Sequence, residues 1–165
     1  MPTQTISRRR GEPLPRIVVA DDNVDVRGLV ALMLRSRGFD VVVAADGDAA
    51  LDAILSDGAD GLVSDFQMPH LDGLRLCRVL RSLRAYAALP IVMFTGLRET
   101  DPCLLPLRDM NDLRILHKPM GLRAIAPALI EMIPITIDGL AVGRQARAGA
   151  KVPAGPTADR YTAQT

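Results

Sequence analysis

From Arg16 onward, short apolar runs alternate with longer stretches in which apolar side chains recur every three or four residues. The runs are Ile17 to Ala20, Val41 to Ala44, Gly61 to Val63, Ile91 to Phe94 and Leu113 to Leu116. Short and mostly rich in Val, Ile and Leu, they predict strands buried on both faces, as in a parallel sheet. After the first run, Val26, Leu29, Val30, Met33 and Leu34 fall at helical spacing, and Gly38 follows Arg37 as a stop signal. Asp46 and Gly58 bracket a second helix, and Asp72 is placed to cap a third whose Leu76, Cys77, Leu80 and Leu83 share one face. A strand-helix unit repeated five times predicts an α/β protein, an open doubly wound parallel sheet with helices on both faces.

The last two helical intervals are less regular, because Pro102 and Pro106 fall in the fourth and Pro127 in the fifth. A proline in a first turn is tolerated, whereas Pro106, read as interior, is expected to kink its helix. Residues 1–15 carry Arg8, Arg9 and Arg10 among Pro, Thr, Gly and Ser without an apolar face, and are read as a flexible tail. Residues 16–133 form the expected domain, and 134–165, poor in apolar residues beyond Ile137, are read as a second flexible tail.

Composition narrows the function. A chain of 165 residues holds one ordinary core, and with 3 Phe, 2 Tyr and no Trp that core must be filled by Val, Ile, Leu and Ala. The net charge of +1 creates no whole-molecule field to hold nucleic acid or an anionic membrane, so neither is expected as a partner. Arg8 to Arg10, Arg144, Arg147 and Lys151 come with no recognition-helix pattern and are read as solvated. Cys77 and Cys103 fit neither a metal-ligand spacing nor a disulfide framework, which predicts two reduced packing residues. The N-terminus lacks an apolar signal core, and Leu122 to Gly143 is broken by Glu131, Pro134 and Asp138, so a cytoplasmic protein without a membrane span is expected.

In an open α/β sheet, ligands bind outside the carboxyl ends of the strands, where the strand order reverses. Asp21 and Asp22 follow the first strand, Asp65 ends the third, Thr95 follows the fourth, and Lys118 with Pro119 follows the fifth. Three carboxylates gathered there repel one another unless cations neutralise them. Lys118 supplies one positive charge, and an all-oxygen donor set with room for water suits Mg2+ for the rest. An ammonium and a divalent ion facing a carboxylate suit phosphoryl transfer to that carboxylate. Each fragment alone has a plainer reading: Asp21-Asp22 fit helix capping, Asp65 to Pro69 a stiffened turn, and Lys118-Pro119 a strand end. Their joint occurrence, in order and at four strand ends, favours the site.

Ala20-Asp21-Asp22, Asp65-Phe66-Gln67-Met68-Pro69 with Asp72-Gly73, Phe94-Thr95-Gly96 and His117-Lys118-Pro119 together resemble the receiver domain of two-component response regulators, over residues 16 to 133. The resemblance implies a flavodoxin-like five-stranded sheet of order 2-1-3-4-5. It implies Asp65 as phosphoacceptor, Asp22 as a direct magnesium ligand, Asp21 as a ligand acting largely through water, and the backbone carbonyl of Gln67 as a further ligand. Thr95 resembles the hydroxyl that bonds a phosphoryl oxygen, and Lys118 the lysine that pairs with the phosphate. A histidine kinase or histidine phosphotransfer protein is the implied donor and a downstream protein the implied target. The chain is expected to be a single-domain switch rather than an enzyme.

The chain also departs from the family pattern. Ile115 stands three residues before Lys118, where the family often carries a Tyr or Phe that swings as the Thr moves, so switching here is expected to use other contacts. With Pro102 and Pro106 nearby, an atypical output face is expected. Leu97, two residues after Thr95, has no group to orient a hydrolytic water, which together with the polar, bulky Gln67 predicts slow self-dephosphorylation. His70 and His117 have no second metal ligand at suitable spacing and are read as solvated surface. Two rival readings are a phosphorylation-independent interaction module and a magnesium phosphohydrolase; the latter needs a second acid-base carboxylate that no motif supplies.

Overall fold

The computed structural model describes residues 13–133 and the backbone of residues 135–137 and 140–142. Five parallel strands, β1 (Arg16–Ala20), β2 (Asp40–Ala44), β3 (Gly61–Ser64), β4 (Ile91–Thr95) and β5 (Leu113–His117), form one sheet in the order β2-β1-β3-β4-β5. The expected sheet and its order are therefore present. The first crossovers are α1 (Val24–Ser36), α2 (Gly47–Asp57) and α3 (Gly73–Ser82).

Alternation along each strand sorts its side chains onto two faces. Ile17, Val19, Val63, Val92 and Phe94 pack with α1 and with α5 (Ile125–Met132). Val18, Ala20, Leu62, Ile91 and Met93 face α2, α3 and the short α4 (Leu105–Arg108). The central strands β3 and β4 are buried throughout, which is why they read as unbroken apolar runs. The caps follow the expected chemistry: Asp46 accepts from the Ala49 N–H at 2.8 Å and Asp72 from the Arg75 N–H at 2.8 Å. In α1 the cap is Asn23 rather than either aspartate, its side chain accepting from the Asp25 and Val26 N–H groups. Both aspartates are thereby left for other work.

Several expectations are corrected. Leu29 was expected on the buried face of α1 but is 53% exposed, the core stripe being Val30, Ala31 and Leu34. Pro106 does not kink a long helix. A 3₁₀ turn (Pro102–Leu104) comes first, and Pro106 then sits in the first turn of α4, where its missing N–H leaves no bond unmade. Pro127 likewise lies in the first turn of α5, after a 3₁₀ turn (Met120–Ala124). Cys77 is buried, and burial pushes its thiol up to about 12, but Cys103 is exposed rather than a packing residue. Within the segment read as a C-terminal tail, β6 (Ile135–Ile137) and β7 (Leu140–Val142) pair as an antiparallel two-stranded sheet. The β-branched run Ile135-Thr136-Ile137 suits a strand. Arg8 to Arg10, Arg144, Arg147 and Lys151 lie outside the described residues. Among the described residues no helix is long and apolar enough to cross a membrane.

Candidate functional site

The carboxyl ends of β1, β3, β4 and β5 lie side by side because the strands are parallel and in register, with Ala20 opposite Ser64 and Thr95 opposite His117. The residue after each strand therefore emerges at one edge. Asp21 follows β1 and Asp65 follows β3, and the Asp65 N–H donates to the Ala20 carbonyl at 2.8 Å, so the two turns are tied together. Lys118 follows β5, and its N–H donates to the Thr95 carbonyl at 2.8 Å. The Lys118–Pro119 peptide is cis.

Asp21, Asp22 and Asp65 each offer an oxygen within 4.8 Å of the others. Lys118 closes the cluster: its Nζ lies 2.7 Å from Asp21 Oδ2 and 3.0 Å from Asp65 Oδ2. Asp21 is 3% exposed and Asp65 8%, whereas Asp22 is open to solvent. Thus two of the three carboxylates are taken out of water and the third faces it.

Burial pushes the Asp65 carboxyl above its ordinary range, and this outweighs the opposing hydrogen bond and charge of Lys118 and the bond from the Phe66 N–H, while the Asp21 charge adds to the rise. For Lys118, burial works against the ammonium, but hydrogen bonds to Asp21 and Asp65 and their charges outweigh it and raise its pKa. The two shifts agree physically: one lysine is strongly held, yet one cation is not enough for two buried carboxylates. That shortfall, in a set of hard oxygen donors with Asp22 open to water, fits a divalent ion such as Mg2+.

Neighbouring groups fix these side chains. Asp65 Oδ1 accepts the Phe66 N–H at 2.7 Å and Asp21 Oδ1 accepts the Asn23 N–H at 2.9 Å, which leaves the Oδ2 atoms facing Lys118. Gly73 opens α3 directly against the Asp65 loop, where an added Cβ would stand 2.2 Å from the Asp65 carbonyl oxygen. Only glycine fits that close approach. The fully buried Thr95 accepts the Leu97 N–H at 3.2 Å, so its hydroxyl lies in the loop leaving β4. Gln67 stands two residues beyond Asp65 with its side chain exposed.

The profile of the response regulator receiver domain matches residues 17–130, well over half of the chain. The chain belongs to the response regulator receiver domain family. Among the receiver's relatives, the DNA-binding response regulator MtrA of Mycolicibacterium paratuberculosis is 36% identical over 97 residues, 59% of this chain and 42% of MtrA. Response regulator MprA of Mycobacterium avium is 48% identical over 81 residues, 49% of this chain and 35% of MprA. The receiver thus spans less than half the length of these relatives. Among solved structures, the Francisella response regulator 1452 receiver domain superposes with a TM-score of 0.62 at 29% identity, covering 70% of this chain and 93% of that one. Vibrio cholerae CheY4 gives 0.63 at 25% identity, covering 71% and 97%.

Of the candidate residues, the receiver brings Asp21, Asp22, Asp65 and Lys118 into one cluster and sets Thr95 on the adjoining strand end. His70 is exposed as expected, but His117 is half-buried and its Nδ1 lies 2.6 Å from the Leu97 carbonyl oxygen, so it is not free surface. Beside it, Leu104, Leu107 and Ile115 line a groove of about 270 Å³ between α4 and β5. Sequence reasoning missed Arg27 of α1, whose Nη1 donates to the Asp21 carbonyl. A helix-borne arginine carries no signal that separates it from solvated charge.

Proposed function

We propose that this receiver accepts a phosphoryl group on Asp65 from a phosphohistidine of a histidine kinase or phosphotransfer protein, and signals by contact with a downstream protein. The observation that carries the proposal is the Lys118 ammonium bridging Asp21 and Asp65, with Asp22 at the same cluster and open to solvent. In the transfer, an Asp65 carboxylate oxygen forms a bond to phosphorus, the phosphorus–nitrogen bond of the donor breaks, and the imidazole leaves and takes up a proton. Lys118 keeps its charge beside the accepting oxygen and turns to a phosphoryl oxygen of the product. The Thr95 hydroxyl, which accepts the Leu97 N–H, keeps its own hydrogen to donate to another. Asp21, Asp22, Asp65 and the Gln67 carbonyl would hold Mg2+, which when bound supplies positive charge to the transferring oxygens.

Protein contact is preferred to nucleic acid because the chain's charges nearly cancel, at +1 overall. The DNA binding in MtrA's name belongs to a protein of which this chain matches 42%. A cytoplasmic site of action goes with the kinase partner. The shortened α4 and Ile115 favour, as a second reading, an interaction module that works without phosphate. Mass spectrometry after treatment with a small phosphodonor and magnesium separates the two: the wild type gains one phosphoryl group and Asp65→Asn gains none. Failure of the wild type to gain it leaves the second reading in place.

A further inference from the structure

The Asp22 side chain reaches into solvent, so its direction depends on how firmly the backbone beneath it is held. That backbone leaves the sheet at Ala20 and enters α1 at Val24, a stretch of three residues. On the strand side it is anchored by the Asp21 N–H to the Ala44 carbonyl at 3.3 Å, a long bond. Inside the turn, Asp21 Oδ1 accepts the Asn23 N–H. The carbonyls of Asp21 and Asp22 are met from the helix side by Arg27. Its Nη1 donates to the Asp21 oxygen and lies 3.5 Å from the Asp22 oxygen. The reach is natural, since helical side chains lean toward the N-terminus of their own helix.

This contact has an unusual partner for a guanidinium among acidic residues. Arg27 stands in the first turns of α1, just after Asp21 and Asp22, yet its hydrogen bonds go to their backbone oxygens and not to carboxylate oxygens. A pair with a carboxylate would compete with a cation for the same oxygens. A bond to the carbonyls fixes the turn and leaves the carboxylates open.

We propose that Arg27 is a positioning residue for the cation site, holding the Asp21 and Asp22 carbonyls so that the Asp22 carboxylate points where a divalent ion is bound. The inference rests on the magnesium reading given above. It also makes a prediction of opposite sign to simple electrostatics, because removing a cation near acidic ligands would by charge alone tighten binding of another cation.

Calorimetric titration of the full chain with magnesium chloride tests it, on wild type, Arg27→Met, Arg27→Lys and Arg35→Met. Arg35 is the matched control, an arginine of the same helix that donates to a backbone oxygen, that of Val41 at 2.8 Å, at the far end. Arg27→Met is expected to weaken magnesium about tenfold, the scale seen when groups that orient metal ligands are removed. Arg27→Lys should fall between it and wild type, and Arg35→Met should bind as wild type does. Unchanged or tighter binding in Arg27→Met, or an equal loss in Arg35→Met, overturns the proposal. If Arg27→Met does not fold, Arg27→Lys decides by the same comparison. No binding by the wild type instead overturns the magnesium reading itself, and the positioning role with it.

Discussion

Replacing Lys118 by Met keeps much of the side-chain stem and deletes the one cation shared by two buried carboxylates. In the wild type, Nζ stands 2.7 Å from Asp21 and 3.0 Å from Asp65, which are 3% and 8% exposed. Unit charges about 4 Å apart at an effective dielectric near 20 interact by about 4 kcal/mol, and removing one partner of a buried pair typically costs about 3–5 kcal/mol. The Lys118 side chain is itself 20% exposed and Asp22 admits water beside it, which places the loss just below that range, at about 2–3 kcal/mol. At about 4 °C per kcal/mol for a domain of this size, the melting point should fall by about 10 °C. Urea titration followed by circular dichroism, with chelator present, measures the loss directly. The double variant Lys118→Met with Asp65→Asn should regain much of it, since one of the two stranded charges is then gone. Magnesium should stabilise Lys118→Met more than wild type, because the ion takes over the lysine's role. A loss under about 0.5 kcal/mol, the range of ordinary surface changes, or a double variant no more stable than the single, would refute the electrostatic reasoning.

Two further outcomes are expected. Burial raises the Asp65 pKa above its unfolded value, so the folded state binds the proton more readily and stability falls as pH rises through the window between the two. The chelated wild type should therefore gain stability on acidification from neutral toward the ordinary value of 3.8, relative to Asp65→Asn; parallel urea midpoints for the two across that window would contradict the assignment. Leu97 offers no polar atom to water from its side chain, and Leu97→Glu should speed loss of the phosphoryl group by about tenfold, below the usual range for full acid-base catalysis. An unchanged decay rate, followed by mass spectrometry, removes Leu97 from the account.

The parts legible in the sequence are those set by local chemistry. Strand positions follow from short β-branched runs, the caps at Asp46 and Asp72 from side chains able to accept a helix N–H, and the stop at Gly58 from a glycine's tolerance of positive φ, which the structure puts at +75°. The candidate residues were visible as polar side chains following apolar runs. The strand order came from the motif resemblance and not from periodicity, because an alternating pattern is the same in any parallel sheet order.

Tertiary structure decided the rest, because it depends on distances between residues remote in sequence. That Lys118 bridges Asp21 and Asp65 reflects separations of 97 and 53 residues closed by the sheet, and that the Asp65 pKa is raised reflects burial that no local window reports. Leu29 is exposed because helical spacing fits the edge of a stripe as well as its centre, and at that edge the neighbouring layer does not reach. Pro106 is neutral and not a kink because the packed structure starts α4 at Leu105, and a proline is disruptive or neutral according to that start. His117 and Arg27 look like solvated charge in the sequence, but the folded chain gives each a carbonyl oxygen to hold.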